Sequence, residues 1–258
     1  MTSYQLLITV WIAVGLASGI YLLRTEAPYG RYMRPGWGPA ISNWAGWLIM
    51  ESTVILTFLL WKPWHAADWQ NPANLMVIFF LIHYVHRALI YPLRIHTKGK
   101  KMPLVIMLSA MLFNGVNGSL LGSWFRCHVH YDKNWYGSFP FIAGTVLFFL
   151  GMYINVSSDN RLIALRNNKR TASPEARSSD RYRIPYGRLF RFISSPNLFG
   201  EMIEWLGYAM LTWSYPALAF WIWTCANLVP RAISNHRWYK AHFPDYPKNR
   251  KILIPYLW

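Results

Sequence analysis

Long uncharged runs alternate along this chain with short, polar and mostly basic segments. Runs free of Asp, Glu, Lys, Arg and His extend from Tyr4 to Leu23, Pro103 to Phe125, Phe139 to Ser158 and Trp205 to Pro230. Each approaches or exceeds the roughly 20 residues that a helix needs to cross a bilayer. Two further runs are interrupted only by isolated ionisable residues: Ile41 to Trp61 by Glu51, and the stretch around Tyr84 by His83, His86 and Arg87. Basic segments flank the last long run on both sides, and a single crossing would put them on opposite faces of the membrane. An even number is needed, so two helices are predicted there, about Leu198 to Trp213 and about Ala217 to Ile233, turning at Ser214 to Pro216. The pattern predicts an all-α polytopic membrane protein with seven transmembrane helices in one membrane-embedded domain, residues 1–258. The first run has no basic segment before it, unlike a cleavable signal, and reads as an uncleaved span.

Composition supports this class, with 54% hydrophobic and only 14% charged residues, against roughly 25% charged in soluble domains. A net charge of +16 suggests nucleic acid until its placement is considered. Of 26 Lys and Arg, 22 fall in four alternate segments, 24–40, 94–101, 160–197 and 231 onward, and 3 in the intervening loops. By the positive-inside rule the rich loops and the C-terminus face the cytoplasm and the N-terminus lies outside. The charge therefore marks topology, and no nucleic-acid partner is expected. Cys127, in an outer loop, and Cys225, in a span, supply neither a disulfide framework nor a cysteine metal site.

Glu51 is the first candidate for chemistry. An ionisable side chain within a span is costly and marks a functional site by default, with a partner to be sought on a neighbouring span. The next span offers Tyr84 and Arg87 three apart and His83 and Arg87 four apart, on a shared helical face. A neutral carboxyl donates as well as accepts a hydrogen bond, as does a tyrosine hydroxyl. The bland alternative is a Glu–Tyr or Glu–Arg bond that only ties two helices together.

A second constellation follows the fifth span. The density of Arg161, Arg166, Lys169, Arg170, Arg181, Arg183, Arg188 and Arg191 suits phosphate groups, unless it serves only topology and contact with anionic lipid. Asn155 and Asp159, one turn apart, offer amide and carboxylate partners for a ribose or base. Asn197, Glu201 and Glu204 recur at i, i+4 and i+7, which predicts one wet stripe on a cleft open to the cytoplasm. In the C-terminal segment Arg231, Asn235 and Tyr239 recur every four residues, flanked by His236 and Arg237. No carboxylate or second His stands at ligand spacing there, so no metal is expected. No G-x-G-x-x-G follows a strand, and no P-loop, GxSxG or HExxH occurs, so a nucleotide would bind between helices.

The segments HYVHRALIYPL, GMYINVSSDN, YRIPYGRLF with SPNLFGEMIEWLGYA, and the closing HRWYKAHFPDYPKNRKILIPYLW resemble the steroid 5-alpha-reductase family. The resemblance runs from about Trp47 to the C-terminus. It implies a seven-helix membrane reductase that takes NADPH from the cytoplasm and a 3-oxo-delta-4 steroid from the bilayer, working as a monomer among membrane lipids. A bacterial inner membrane or the endoplasmic reticulum would house it. By the resemblance Glu51 and Tyr84 bond the substrate's C3 carbonyl and Trp47 packs against the steroid. Asn155, Asp159, Arg166, Tyr182, Arg183, Asn197 and Tyr239 align with cofactor contacts, as do Arg87 and Arg231. One departure is Asn235, which stands where the family has a cofactor-contacting His, so that contact differs or passes to His236. The alternatives are reduction of another lipid enone or enoyl group, such as a polyprenal or an enoyl-CoA, and a non-enzymatic membrane transporter or lipid-binding scaffold.

Overall fold

The structure, a computed structural model, describes residues 1–65, 68, 70–95, 99–167 and 182–258, with the side chains of 166 and 167 also left undescribed. Seven long helices dominate it: α1 (Ser3–Arg24), α2 (Asn43–Leu60), α3 (Pro72–Arg94), α4 (Leu104–His128), α5 (Phe139–Asn167), α6 (Pro196–Thr212) and α7 (Tyr215–His242). The first five are long and apolar enough to cross a membrane. The expectation of seven such segments is therefore met only in part. α6 has 17 residues and carries Glu201 and Glu204, and α7 continues into the basic tail.

The predicted ends of α6 and α7 need correcting. The chain turns at Trp213 and Ser214, with Trp213 in the left-handed region at φ 44°. Pro216, taken as part of the turn, lies in the first turn of α7, where the Ser214 hydroxyl accepts from the Ala217 N–H. Proline is favoured there because its missing N–H has no helical partner to lose. α7 then runs to His242 rather than stopping near Ile233, so the whole Arg231 to Tyr239 face is helical. The all-α expectation also misses one antiparallel ladder, β1 (Ala40–Ser42) on β2 (Lys101–Pro103), which ties the loop before α2 to the loop before α4.

α3 is not a uniform helix. His86–Ile90 forms a π turn, closed by the Tyr91 N–H on the His86 carbonyl. Pro92 explains it: its ring would clash with a carbonyl one turn back and it has no N–H to donate, so the helix widens by one residue. That widening falls beside Arg87.

The most extensive helix pair is α5 on α6, and glycine makes it possible. Gly144 and Gly151 on α5 face Gly207 and Gly200 on the antiparallel α6. A Cβ on Gly151 would lie 2.2 Å from the Glu204 backbone nitrogen, and one on Gly207 would lie 2.4 Å from that of Phe148. Small residues at helix interfaces let backbones approach closely where lipid offers no hydrophobic drive for association. The seven-residue spacing on both helices sets the rows of polar residues that follow, Asn155 and Asp159 on one side, Asn197 and Glu201 on the other.

Candidate active site

Two adjoining cavities occupy the middle of the bundle and one of its ends. The inner cavity, about 300 Å³, is bounded by α1, α2, α3, α4, α6 and α7, a size at the lower end of ordinary small-molecule sites. Its wall is largely apolar and aromatic, with Met50, Phe113, Trp205, Phe220 and Trp223, and its ionisable groups include Glu51, His83, Tyr84, Arg87 and Glu201, with Asn114 among its uncharged polar ones. Glu51 from α2 and Tyr84 from α3 thus face one space, as their positions in the sequence predict. The Tyr84 ring is held by Phe80 and Trp205, at 4.8 and 5.6 Å between centroids. Its hydroxyl has no hydrogen-bond partner among the described residues. Asn114 stands beside Glu51 and donates to the Met50 carbonyl at 2.6 Å, bracing the α2 backbone next to the carboxyl.

The outer cleft is polar. Arg87, Asp159, Tyr182, Asn197, Arg231, Asn235 and Tyr239, all singled out from sequence, line it. A ring of side chains closes its inner end. Arg87 Nη1 donates to Asp159 at 3.4 Å, and its Nη2 lies 3.5 Å from Glu201. Asn197 donates to Asp159 at 3.0 Å, and Asn155 donates to the Asn197 carbonyl at 2.9 Å and to Glu201 at 3.3 Å. One guanidinium is therefore shared by two carboxylates from two helices, and α3, α5 and α6 are fixed relative to one another. Tyr29, Trp47, Arg87 and Leu228 belong to both cavities and form the partition between them. Within it the Arg87 guanidinium lies 5.0 Å over the Trp47 ring.

Other expected residues are placed differently. Asn155 sits behind the cleft wall at 3% exposure, holding Asn197 and Glu201 rather than facing the cleft. Arg183 is exposed outside it, and the Arg166 side chain lies outside the described residues. His236 turns away, bonding Ser194 at 2.6 Å, whereas Asn235 faces the cleft, accepts from the Tyr32 hydroxyl at 3.1 Å and donates to Ser195. Burial pushes the Tyr32 hydroxyl up to about 12, against the pull of Arg31 and Arg231, so it stays protonated as the donor to Asn235. The wet stripe on α6 is corrected at its third member. Glu204 is fully buried, its Oε1 is 2.7 Å from His83 Nδ1, and its Oε2 has no partner. Three residues beyond Glu201, it has rotated off the cleft face and into the α3 contact. Replacing Glu204 by Leu strands a buried ring nitrogen and is expected to lower stability by about 1–3 kcal/mol; a matching His83→Leu change restores part of the loss. Thermal unfolding of the three variants measures this, and no recovery in the pair contradicts the coupling.

Sequence reasoning missed the loop between α1 and α2. Arg31 is packed against Trp238, Tyr239 and Tyr182, 4.5, 4.8 and 5.0 Å from their centroids, and its Nη2 donates to the Tyr239 hydroxyl. Its Nη1 is buried with no partner. Arg231 stacks 3.9 Å from the Tyr29 ring. The alternation of aromatic and basic residues in APYGRYMRPGWG was the available signal, but its charge had been assigned to topology alone.

The model of the 3-oxo-5-alpha-steroid 4-dehydrogenase family matches residues 100–258. Steroid 5-alpha-reductase DET2 of Arabidopsis thaliana is 39% identical, over 100% of this chain and 97% of its own length. The chain belongs to this family. Animal relatives agree: 3-oxo-5-alpha-steroid 4-dehydrogenase 1 of Bos taurus is 36% identical over 95% of this chain and 93% of its own. Type 2 of Rattus norvegicus is 37% identical over 92% and 91%. It is a family of oxidoreductases, and the two adjoining cavities give this member of it separate polar and apolar chambers that share one wall.

Proposed function

We propose that this chain reduces the delta-4 double bond of a 3-oxo-delta-4 steroid to the 5-alpha product with NADPH. All seven helices cross the membrane in this reading, with the N-terminus outside and the outer cleft facing the cytoplasm. The observation that carries it is the partition. A polar cleft rich in Arg and aromatic faces touches a mainly apolar cavity, and a carboxyl and a tyrosine from two different helices line that cavity. The orphaned Arg31 Nη1 within a cleft of cations and amides fits an anionic dinucleotide, since guanidinium groups bind phosphate oxygens well.

Arg31 and Arg231 would hold phosphates, and Asp159, Asn197 and Asn235 the sugar and base hydrogen bonds. When bound, NADPH supplies a hydride. Glu51, as the acid, and Tyr84 donate to the C3 carbonyl oxygen, where negative charge develops as the hydride reaches C5. Donors aimed at the developing charge act as an oxyanion hole applied to an enone. A proton from solvent then completes C4, and the dry, aromatic wall keeps water from the earlier step. The Trp47 ring, fixed by Arg87 and Tyr91, flanks the steroid beside the partition.

The test is to mix purified protein and NADPH with testosterone, progesterone, a polyprenal and an enoyl-CoA and to follow cofactor oxidation. Oxidation with the steroids is expected. Oxidation with the linear substrates alone would move the assignment to another lipid enone or enoyl group, and none at all, despite bound cofactor, would support a binding scaffold. Arg31→Ala is expected to weaken NADPH roughly tenfold or more, the scale of one charged hydrogen bond, with little change in steroid affinity; equal loss of both would remove Arg31 from the cofactor site.

A further inference from the structure

On the side of α5 away from the cleft lies a second, unrelated groove of about 710 Å³. Phe149, Met152, Tyr153 and Val156 form its floor along one helical face, and Phe149 and Tyr153 are 43% and 63% exposed. At its upper end are Asn160, Arg161 and Arg188. The uncharged run of α5 ends at Ser158, so if α5 spans, the groove straddles the boundary between hydrocarbon and headgroups. Its apolar part lies on the membrane side and its cations on the water side.

The two arginines are brought together by an unusual turn. Gly187 has φ 84°, and Arg188, which is not a glycine, follows at φ 47°. The Arg161 guanidinium packs against that turn, so close that a Cβ on Gly187 would come within 2.7 Å of its Nη2. A long side chain is uncommon in the left-handed region and points to a local requirement. Among the described residues neither guanidinium has a carboxylate partner. Two exposed, unpaired guanidiniums thus cap an open apolar groove. Their charge complements a phosphodiester, and the floor complements an acyl chain.

We infer that this groove is a binding site for an anionic diacyl phospholipid, with the phosphate between Arg161 and Arg188 and one acyl chain along Phe149 to Val156. The reading rests on α5 spanning the membrane but not on the proposed reaction. The lipid clamps α5 to the 187–191 turn from outside, across the helix from Asp159. A juxtamembrane cation contributes about 1 kcal/mol of attraction to an anionic surface.

Native mass spectrometry of the detergent-solubilised full chain, with dioleoyl phosphatidylglycerol or dioleoyl phosphatidylcholine added, tests the site. Wild type is expected to retain the anionic lipid roughly thirtyfold better than the zwitterionic one, the scale of two such contacts. Arg161→Gln with Arg188→Gly should bring phosphatidylglycerol down to the phosphatidylcholine level. Because Arg188→Gly also relieves the left-handed residue, the lipid-free variant should melt no lower than wild type, which separates loss of the site from loss of the fold. Equal retention of the two lipids by wild type overturns the proposal, as does undiminished phosphatidylglycerol binding by the variant. Displacement of the lipid by millimolar inorganic phosphate also overturns it, since the site would then recognise an ion alone. Steroid turnover in detergent is unaffected by the double change if the site is separate from the catalytic one, and its loss together with cofactor binding would instead assign these arginines to the cleft.

Discussion

Glu51→Gln and Tyr84→Phe each lose steroid turnover while NADPH still binds. The expected loss in kcat is about 10²–10³-fold for each, the effect of removing one donor from a developing oxyanion. The separation follows from geometry: both side chains face the inner cavity, and neither lines the outer cleft. Cofactor affinity, followed by quenching of intrinsic fluorescence, should stay within a fewfold of wild type. Steroid KM should change less than kcat, because the bonds strengthen as charge moves onto the oxygen rather than in the ground state. Turnover close to normal in both variants would remove these residues from the reaction.

Gly151→Ala is expected to be the most damaging single methyl in the molecule. Its Cβ would meet backbone, the Glu204 nitrogen at 2.2 Å and the Gly200 carbonyl at 2.6 Å, and neither can rotate away. Overpacking of this kind costs about 1–3 kcal/mol when neighbours can yield, and here α5 and α6 must separate. The same movement pulls Asn155 off the Asn197 carbonyl and Glu201, so activity should fall with stability. Gly137→Ala, with nothing within 4 Å of the added carbon, is the control. Unfolding curves in detergent distinguish the two, and equal melting would mean that the helices do not depend on this contact.

Much of the fold was legible because the bilayer imposes long uncharged runs, and five of the seven expected segments are plain in composition alone. Glu51 and Tyr84 were legible for the same reason, as a carboxyl stands out only where almost everything else is apolar. The remaining features depend on partners distant in sequence. Glu201 and Glu204 look alike in the sequence, yet one completes a ring with Arg87 and the other is buried against His83. Nothing in the local spacing separates them. Arg31 was overlooked because a basic residue in a loop already had an explanation, and only the three rings stacked round it give it a second one. The heptad-spaced glycines and the π turn before Pro92 did leave marks in the sequence, but a small residue acquires meaning only when the facing helix is known.

The glycine seam also bears on how the chain is assembled. α6, with its two carboxyls, is the helix least able to enter hydrocarbon by itself, since a carboxylate near the centre of an inserting helix costs about 2.5–3.5 kcal/mol. The partners its carboxyls do have are residues made earlier, His83 on α3 for one Glu204 oxygen, and Arg87 on α3 with Asn155 on α5 for Glu201. If α6 crosses the membrane as proposed, its insertion is coupled to docking: α3 and α5 must already be in place, and the glycine face gives α6 a surface to slide along. Biogenesis of the C-terminal third becomes conditional on the N-terminal bundle, and a ribosome-bound chain truncated after α6 should integrate poorly when His83 and Asn155 are replaced.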